Sequence, residues 1–253
     1  MRKSAAMLPA GFLVAAALVL TCVTEARGDM YTYNSSSGEL PGDPFRYVDT
    51  SGLFGSSVTP TISDDIASLG PTTDLGRSFW YTDDEVLPHE TGFIISATLK
   101  LDSESSTDPV DQSGLAIAFS DDRSLYQNLF IDPTGVFFSK LNNTDTSIIP
   151  DTSYSMDTST WNTYSIQVYG NDVTLSVDGT QEISSSLFNL SATGQLVLPD
   201  YAALGDISPV ANSQFDFTTF SVVVPEPSFA GATAVGIAAA VAMRVRRNRV
   251  RIA

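Results

Sequence analysis

The most regular pattern in the chain is an alternation of apolar and polar residues with a period of two. In the longest run, from Phe93 to Leu101, every odd-numbered position is apolar. Most of the even-numbered positions between them are polar. A period of two is the repeat of a β-strand that buries one face, whereas an amphipathic helix repeats about every 3.6 residues. Such runs predict strands at 76–82, 93–101, 115–119, 125–131, 136–139, 161–168, 173–177, 196–198 and 215–224.

Turn residues separate these runs and predict antiparallel connections. Residues 132–135 (Asp-Pro-Thr-Gly) and 170–172 (Gly-Asn-Asp) each stand between two strand patterns, and Asp-Gly follows at 178–179. Pro, Gly, Asn and Asp at such spacings favour tight hairpin turns. Residues 29–71 are rich in Ser, Thr, Gly, Asp and Pro, which predicts loops with short edge strands. The fold class expected is all-β, an antiparallel sandwich or barrel.

The hairpin that begins at Trp161 narrows this expectation. Its strands read Trp161-x-x-Tyr164-x-Ile166 and then end in Val-Asp-Gly at 177–179. This arrangement resembles a strand pair of the concanavalin A-like (laminin-G-like) jelly-roll domains, although fibronectin-like and cupin-like sandwiches carry similar alternation. The resemblance implies an antiparallel jelly-roll sandwich over residues 76–224, preceded by a loop-rich segment, 27–75, of the same body.

The N-terminus has the composition of a secretory signal peptide. Arg2 and Lys3 precede an apolar stretch that runs from Ala5 to Leu20, and small residues at 24 and 26 favour cleavage after Ala26. We therefore assign residues 1–26 to a signal peptide that exports the body.

The C-terminus, residues 225–253, carries three elements in order. The motif Val224-Pro225-Glu226-Pro227-Ser228 is followed by an apolar segment at 229–243 and an arginine cluster. As a helix, that segment would rise about 22 Å, somewhat short of the roughly 30 Å hydrocarbon core of a membrane. The cluster consists of Arg244, Arg246, Arg247, Arg249 and Arg251.

This tail resembles the PEP-CTERM sorting signal, also called the ice-binding-protein C-terminal-type motif. The resemblance implies an exosortase-type processing enzyme that cuts near Pro225–Pro227 and a transient stay in the inner membrane as a C-terminal transmembrane helix. It also implies a final place at the cell surface or in an exopolysaccharide matrix. A plain single-pass anchor is the alternative, because cytoplasmic arginines also hold ordinary membrane spans in that orientation.

Charge and rare residues exclude several functions. Between Asp29 and Val224 there are 27 acidic and 5 basic residues, a net of 22 negative charges, which argues against nucleic-acid binding. Cys22 is the only cysteine and lies in the signal peptide, so disulfides and thiol chemistry are not expected. His89 is the only histidine, and its polar loop predicts an exposed side chain.

No convincing catalytic motif emerges from the acidic residues. Glycoside hydrolysis needs two carboxylates, and the laminarinase-type glucanases of this fold space them as E-x-D-x-E. The nearest match here is Asp102-Ser103-Glu104, which lacks the first glutamate and reads as a solvated strand end. We therefore expect a non-catalytic protein with no catalytic residues.

Two kinds of binding site remain as candidates. Calcium takes oxygen ligands from flexible loops, and Asp121 and Asp122 after a predicted strand are the first choice for Ca²⁺, with no other cofactor expected. Aromatic and amide side chains suit a glycan, and the candidates are Trp80, Tyr81, Tyr126 and Asn128.

The function expected from these features is that of a secreted, sorted surface or matrix protein with a non-catalytic, glycan-binding sandwich and extracellular polysaccharide as partner. One alternative is an extracellular glycoside hydrolase or lyase on the same fold. The other is a purely structural matrix component.

Overall fold

The alternating runs form β-strands in a computed structural model of the chain. The model describes residues 30–50, 57–72, 77–83, 86–106, 114–141, 148–189, 199–207 and 211–225. The predicted signal peptide (1–26), apolar segment (229–243) and arginine cluster (244–251) lie outside these residues. Across the described ranges, no helix has the length and hydropathy to cross a membrane.

The strands follow one another with a single short 3-10 turn at Ser35–Ser37 after the first of them. Their bounds are β1 (Met30–Asn34), β2 (Arg46–Asp49), β3 (Thr61–Ser63), β4 (Ile66–Leu69), β5 (Ser78–Thr82), β6 (Phe93–Ser106), β7 (Leu115–Ser120), β8 (Leu125–Asp132), β9 (Gly135–Leu141), β10 (Ile148–Ser155), β11 (Asn162–Tyr169), β12 (Asp172–Val177), β13 (Thr180–Ser186), β14 (Phe188–Asn189), β15 (Tyr201–Asp206) and β16 (Ala211–Val223).

These strands form two antiparallel sheets. Sheet A has the order β13-β12-β11-β6-β16-β4-β3, with β1 also paired to β16. Sheet B has the order β10-β9-β8-β7-β15-β5-β2, with β14 also paired to β8. Sequence neighbours are often separated in the sheets, as β15 is between β5 and β7, which is the crossing pattern of jelly rolls. The fold class is an all-β antiparallel sandwich of two sheets.

One hydrophobic core fills the space between the sheets. The alternating residues of β6 from Phe93 to Leu101 are all buried in it, as the period-two pattern requires. Trp80 from sheet B lies against Phe217 from sheet A, with ring centroids 4.9 Å apart. Such aromatic contacts add to the area that the two sheets remove from water.

The strand predictions agree with the structure where the alternation is strong. The hairpin of β11 and β12 pairs in the expected register, with Ile166 opposite Leu175. Four strands were missed: β10, β13, β14 and β15. β13 is rich in Ser and β15 in Ala and Gly, which have weak preference for strands, β10 contains Pro150, and β14 has only two residues, so sheet neighbours rather than local pattern place them. The predicted strand at 196–198 lies outside the described residues.

The loop-rich N-terminal segment contributes strands to both sheets. β1, β3 and β4 belong to sheet A, and β2 belongs to sheet B. At the other end, β16 stops at Val223, just before Pro225, which has no backbone N–H to continue a ladder.

Candidate functional site

The outer face of sheet B, which points away from the core, collects small and aromatic residues in register. Tyr81 pairs with Ala203, Ala203 with Ala118, and Ala118 with Asn128, so that these four form one row across β5, β15, β7 and β8. At the usual spacing of neighbouring strands, the row spans about 14 Å. A line of small residues thus separates a tyrosine from an asparagine.

A second row lies beside the first on the same face. Tyr201 pairs with Ser120, Ser120 with Tyr126, and Tyr126 with Phe188. The rings of Tyr126 and Phe188 meet edge to face with centroids 5.8 Å apart. We call the two rows together the tyrosine face; its members are Tyr81, Ala203, Ala118, Asn128, Tyr201, Ser120, Tyr126 and Phe188.

The tyrosines of this face lie close together. The rings of Tyr81 and Tyr201 have centroids 5.9 Å apart and planes inclined by 31°. All three tyrosines are half-buried, while Ala118 and Ala203 beneath them are buried. This explains why β7 is buried on both of its faces, against the simple alternation expected of a half-exposed strand.

Asn128 is the unusual polar group of the tyrosine face. Its side chain is only 2% exposed, and its Oδ1 has no hydrogen-bond partner. A buried amide oxygen without a partner costs about 1–3 kcal/mol. Such groups are a small minority of buried polar atoms and call for a partner such as a bound water, ion or ligand.

Burial also acts on the tyrosine hydroxyls. Burial raises the pKa of Tyr126, and the side chain of Asn128 and the positive charge of Arg77 lower it by less. The pKa of Tyr201 is raised by burial and by the neighbouring Tyr126, and lowered by Arg77. Both hydroxyls therefore stay protonated at neutral pH and can donate hydrogen bonds.

Together these groups have the chemistry of a carbohydrate site. Half-buried aromatic rings offer apolar faces to sugar rings, tyrosine hydroxyls donate, and the Asn128 amide oxygen accepts. The two rows contain no carboxylate, so the pair of acids used in glycoside hydrolysis is not present in them.

The structure brings together three of the four predicted glycan residues. Tyr81, Tyr126 and Asn128 lie on the tyrosine face. Trp80 is 1% exposed and points into the core, because neighbouring residues of a strand face opposite sides.

Three residues of this region were missed by sequence reasoning: Tyr201, Phe188 and Arg77. Tyr201 begins β15, whose Ala-Ala-Leu-Gly stretch lacks strand preference, and Phe188 lies in the two-residue strand β14. Arg77 enters the sequence reasoning only as part of the predicted strand at 76–82. The parity of that run, with Phe79 and Tyr81 opposite in direction to Trp80, was the signal that could have separated the face from the core.

The prediction that His89 is exposed is wrong. Its side chain is 7% exposed, and its Nδ1 lies 2.7 Å from Oδ2 of Asp121. The backbone N–H of His89 donates to Asp122, and its carbonyl accepts from the N–H of Gly170. The loop is buried because these bonds fasten it to two neighbouring turns.

The candidate calcium residues have structural partners. Asp121 is fully buried; its Oδ1 accepts the backbone N–H groups of Arg123 (2.9 Å) and Leu125 (2.8 Å), while its Oδ2 faces His89. Asp122 accepts from the backbone of His89. Among the residues that the structure describes, no group of three or more His, Cys, Asp or Glu side chains is arranged to hold a metal ion.

Asp102 and Glu104 lie on sheet A, away from the tyrosine face. The register with β16 shifts at Asp102, which leaves that residue without a Cα partner in the ladder. Nζ of Lys100 lies 2.7 Å from Asp102 and 3.0 Å from Asp216. These two contacts, that with Asp102 first, raise the pKa of Lys100. Asp102 therefore forms a surface ion pair.

Solved structures share this fold. A carbohydrate esterase from a Shiga toxin-encoding bacteriophage aligns with 77% of this chain and 97% of its own at 14% identity, with a TM-score of 0.53. An endo-β-1,3-glucanase from Pyrococcus furiosus aligns with 77% of this chain and 94% of its own at 15% identity and a TM-score of 0.48. A Bacillus licheniformis β-glucanase covers 78% of this chain and 99% of its own, with 10% identity and a TM-score of 0.48.

No protein-family model and no curated protein matches the chain in sequence. At these identities the structural likeness shows the fold alone, an antiparallel jelly-roll sandwich. The expectation of a non-catalytic glycan binder is corrected by the first of these comparisons, because the aligned bacteriophage protein is a carbohydrate esterase.

Proposed function

We propose that this protein is an extracellular carbohydrate-active enzyme that holds a polysaccharide chain on its tyrosine face. The observation that carries the proposal is the buried, unpartnered Oδ1 of Asn128 within a group of half-buried tyrosines. A sugar hydroxyl that donates to this oxygen would remove the cost of leaving it unpaired.

The other groups of the face fit a sugar chain. Tyr81 and Tyr201 present two rings within 5.9 Å of one another, and pyranose rings stack on such surfaces through their C–H groups. The small residues Ala118 and Ala203 leave the row between Tyr81 and Asn128 free of large side chains. The esterase and glucanases that share the fold support carbohydrate as the substrate class.

The proposed enzymatic activity is tested by identifying the product released from a panel of polysaccharides. The recombinant body, residues 29–224, is incubated with β-1,3-glucan, β-1,3-1,4-glucan, an acetylated polysaccharide and a polyuronate. New reducing ends report hydrolysis, free acid reports ester cleavage, and ultraviolet absorbance of unsaturated ends reports elimination. We expect one of these products; the absence of all three across the panel would contradict the proposal.

The site is tested by removing single groups. Tyr126→Phe keeps the ring but loses the hydroxyl, and Asn128→Ala loses the amide, so we expect kcat/KM to fall about 10- to 100-fold, because each change removes hydrogen bonds to the substrate. Tyr169→Phe is the matched control, since Tyr169 is 64% exposed on sheet A. Variants that retain wild-type activity, with the wild type active, would place the site elsewhere.

We further propose that the chain is exported and sorted by its ends. The segment 229–243 would hold it in the inner membrane until an exosortase-type enzyme cuts near Pro225–Pro227 and releases the body to the cell surface or matrix. The order of motif, apolar segment and arginines supports this proposal. The end of β16 at Val223 fits it as well, because a cut after that residue would leave the sandwich whole.

Processing can be followed with two tags, one after Ala253 and one in an exposed turn of the body. We expect immunoblots of the producing cell to show the tags on different fragments, with the body tag in the surface fraction. Both tags on one membrane-bound chain would mean that the tail is a simple anchor.

A further inference from the structure

The basic residues of the body differ in whether they form ion pairs. Four of the five form ion pairs: Arg46 with Asp83 at 3.1 Å, Lys100 with Asp102 at 2.7 Å, Lys140 with Asp151 at 2.9 Å, and Arg123 with Glu90. Within the described residues, Arg77 is the remaining basic residue, and no carboxylate lies within ion-pair distance of its guanidinium. In a body with a large excess of acidic residues, an arginine without an ion-pair partner among the described carboxylates is notable.

The backbone of Arg77 is fixed on sheet B just before β5, four residues before Tyr81 and beyond the position of Phe79. Its N–H donates to the hydroxyl of Thr50 at 2.9 Å, and its carbonyl accepts from the N–H of Thr50 at 2.8 Å. These bonds extend the pairing of β2 with β5 beyond Ser78. By alternation, Arg77 has the parity of Phe79 and Tyr81, which is that of the outer face.

The side chain of Arg77 is exposed, and its charge acts on two tyrosines of the face. It lies close enough to the hydroxyls of Tyr126 and Tyr201 to lower the pKa of each against the larger effect of burial. The other arginine near this face, Arg46, is neutralised by Asp83. Arg77 therefore adds a positive charge that acts on two tyrosines of the tyrosine face.

We propose that the substrate of the tyrosine face is an anionic polysaccharide, with a carboxylate of the sugar chain paired to Arg77 and a sugar hydroxyl donating to Asn128. This inference rests on the proposed function and names its substrate class. Arginine binds carboxylates through two parallel N–H···O bonds, which suits a uronate group better than a neutral sugar.

The acidic surface elsewhere does not prevent such binding. At physiological ionic strength charges are screened over about 8 Å, so distant carboxylates act weakly on a bound uronate, while Arg77 would be in contact with it. The unpaired buried oxygen of Asn128 is a second, independent sign of a ligand on the same face of sheet B.

A matched pair of polymers tests the inference without depending on turnover. Binding of the body to a polyuronate is compared with binding to the same polymer after its carboxyl groups are reduced to alcohols. We expect the wild type to prefer the polyuronate at least tenfold, and Arg77→Gln to lose that preference while binding the reduced polymer as before. Arg46→Gln is the matched control and should keep the preference.

Each result has one meaning. Equal or tighter binding of the reduced polymer by the wild type overturns the inference, as does a preference that survives in a folded Arg77→Gln variant. Preference for a sulfated polymer over the polyuronate keeps the anionic class but replaces the carboxylate by a sulfate ester. Cleavage of a neutral glucan without polyuronate binding contradicts this inference but supports the proposed function. Polyuronate binding without any product supports this inference but contradicts the proposed enzymatic function.

Discussion

Asp121→Ala is expected to lower the free energy of unfolding by about 3–4 kcal/mol. The carboxylate is fully buried and accepts from three groups, the backbone N–H of Arg123, that of Leu125 and the imidazole of His89. Removing the carboxylate leaves these donors without their acceptor. Each donor that water cannot reach then costs about 1–3 kcal/mol of stability. For a body of this size, thermal unfolding should begin about 10 °C lower.

The neighbouring residue gives the control for this prediction. Asp122 is exposed and accepts one bond, 3.1 Å long, from the backbone of His89, so Asp122→Ala should cost about 1 kcal/mol. Equal effects of the two substitutions would contradict the structural role of Asp121. So would a calcium-dependent rise in unfolding temperature that the wild type shows and Asp121→Ala lacks, since that result would restore the pair as a metal site.

Gly205→Ala is expected to destabilise the body by about 3 kcal/mol or more. Gly205 has a φ of +152°, which side chains rarely adopt, and a Cβ there would lie 2.5 Å from both Cα of Phe79 and the carbonyl oxygen of Ser78. Both contacts are with the β5 backbone, so relief requires β5 and β15 to move apart. Chemical denaturation measures the loss.

Gly170→Ala is the comparison variant, because it changes a glycine of positive φ that has no close neighbour. Gly170 also has a positive φ, +57°, but nothing lies within 4 Å of an added Cβ, so this substitution should cost only about 1 kcal/mol. A similar loss for both variants would contradict a dominant effect of the close approach of β5 at position 205.

The sequence predicts the sandwich well because period two is a local property. The alternation from Phe93 to Leu101 and the hairpin around residues 170–172 could be placed from neighbouring residues alone. β15 could not, because Ala202, Ala203 and Gly205 have little strand preference and pair only because β5 and β7 stand on either side. Its position is a property of the sheet.

The candidate site was predictable only in part for the same reason. Tyr81, Tyr126 and Asn128 could be selected by residue type, but their common row depends on the register of four strands. Trp80 is also aromatic, but it precedes Tyr81 in β5, and neighbouring residues of a strand point to opposite faces of the sheet, so its side chain lies in the core. The burial of His89 depends on Asp121, a partner 32 positions away, which no local pattern reveals.

The place of β16 in sheet A has a mechanical consequence. This strand pairs with β6 from Ala211 to Val223, and with β1 from Thr219 to Val223 on its other side. If the tail tethers the body as proposed, the tether would leave at Pro225 and pull on the last residues of a strand that is paired on both sides. Force directed along that strand loads many of its hydrogen bonds at once in shear, instead of opening them one after another as it would at the free edge of a sheet.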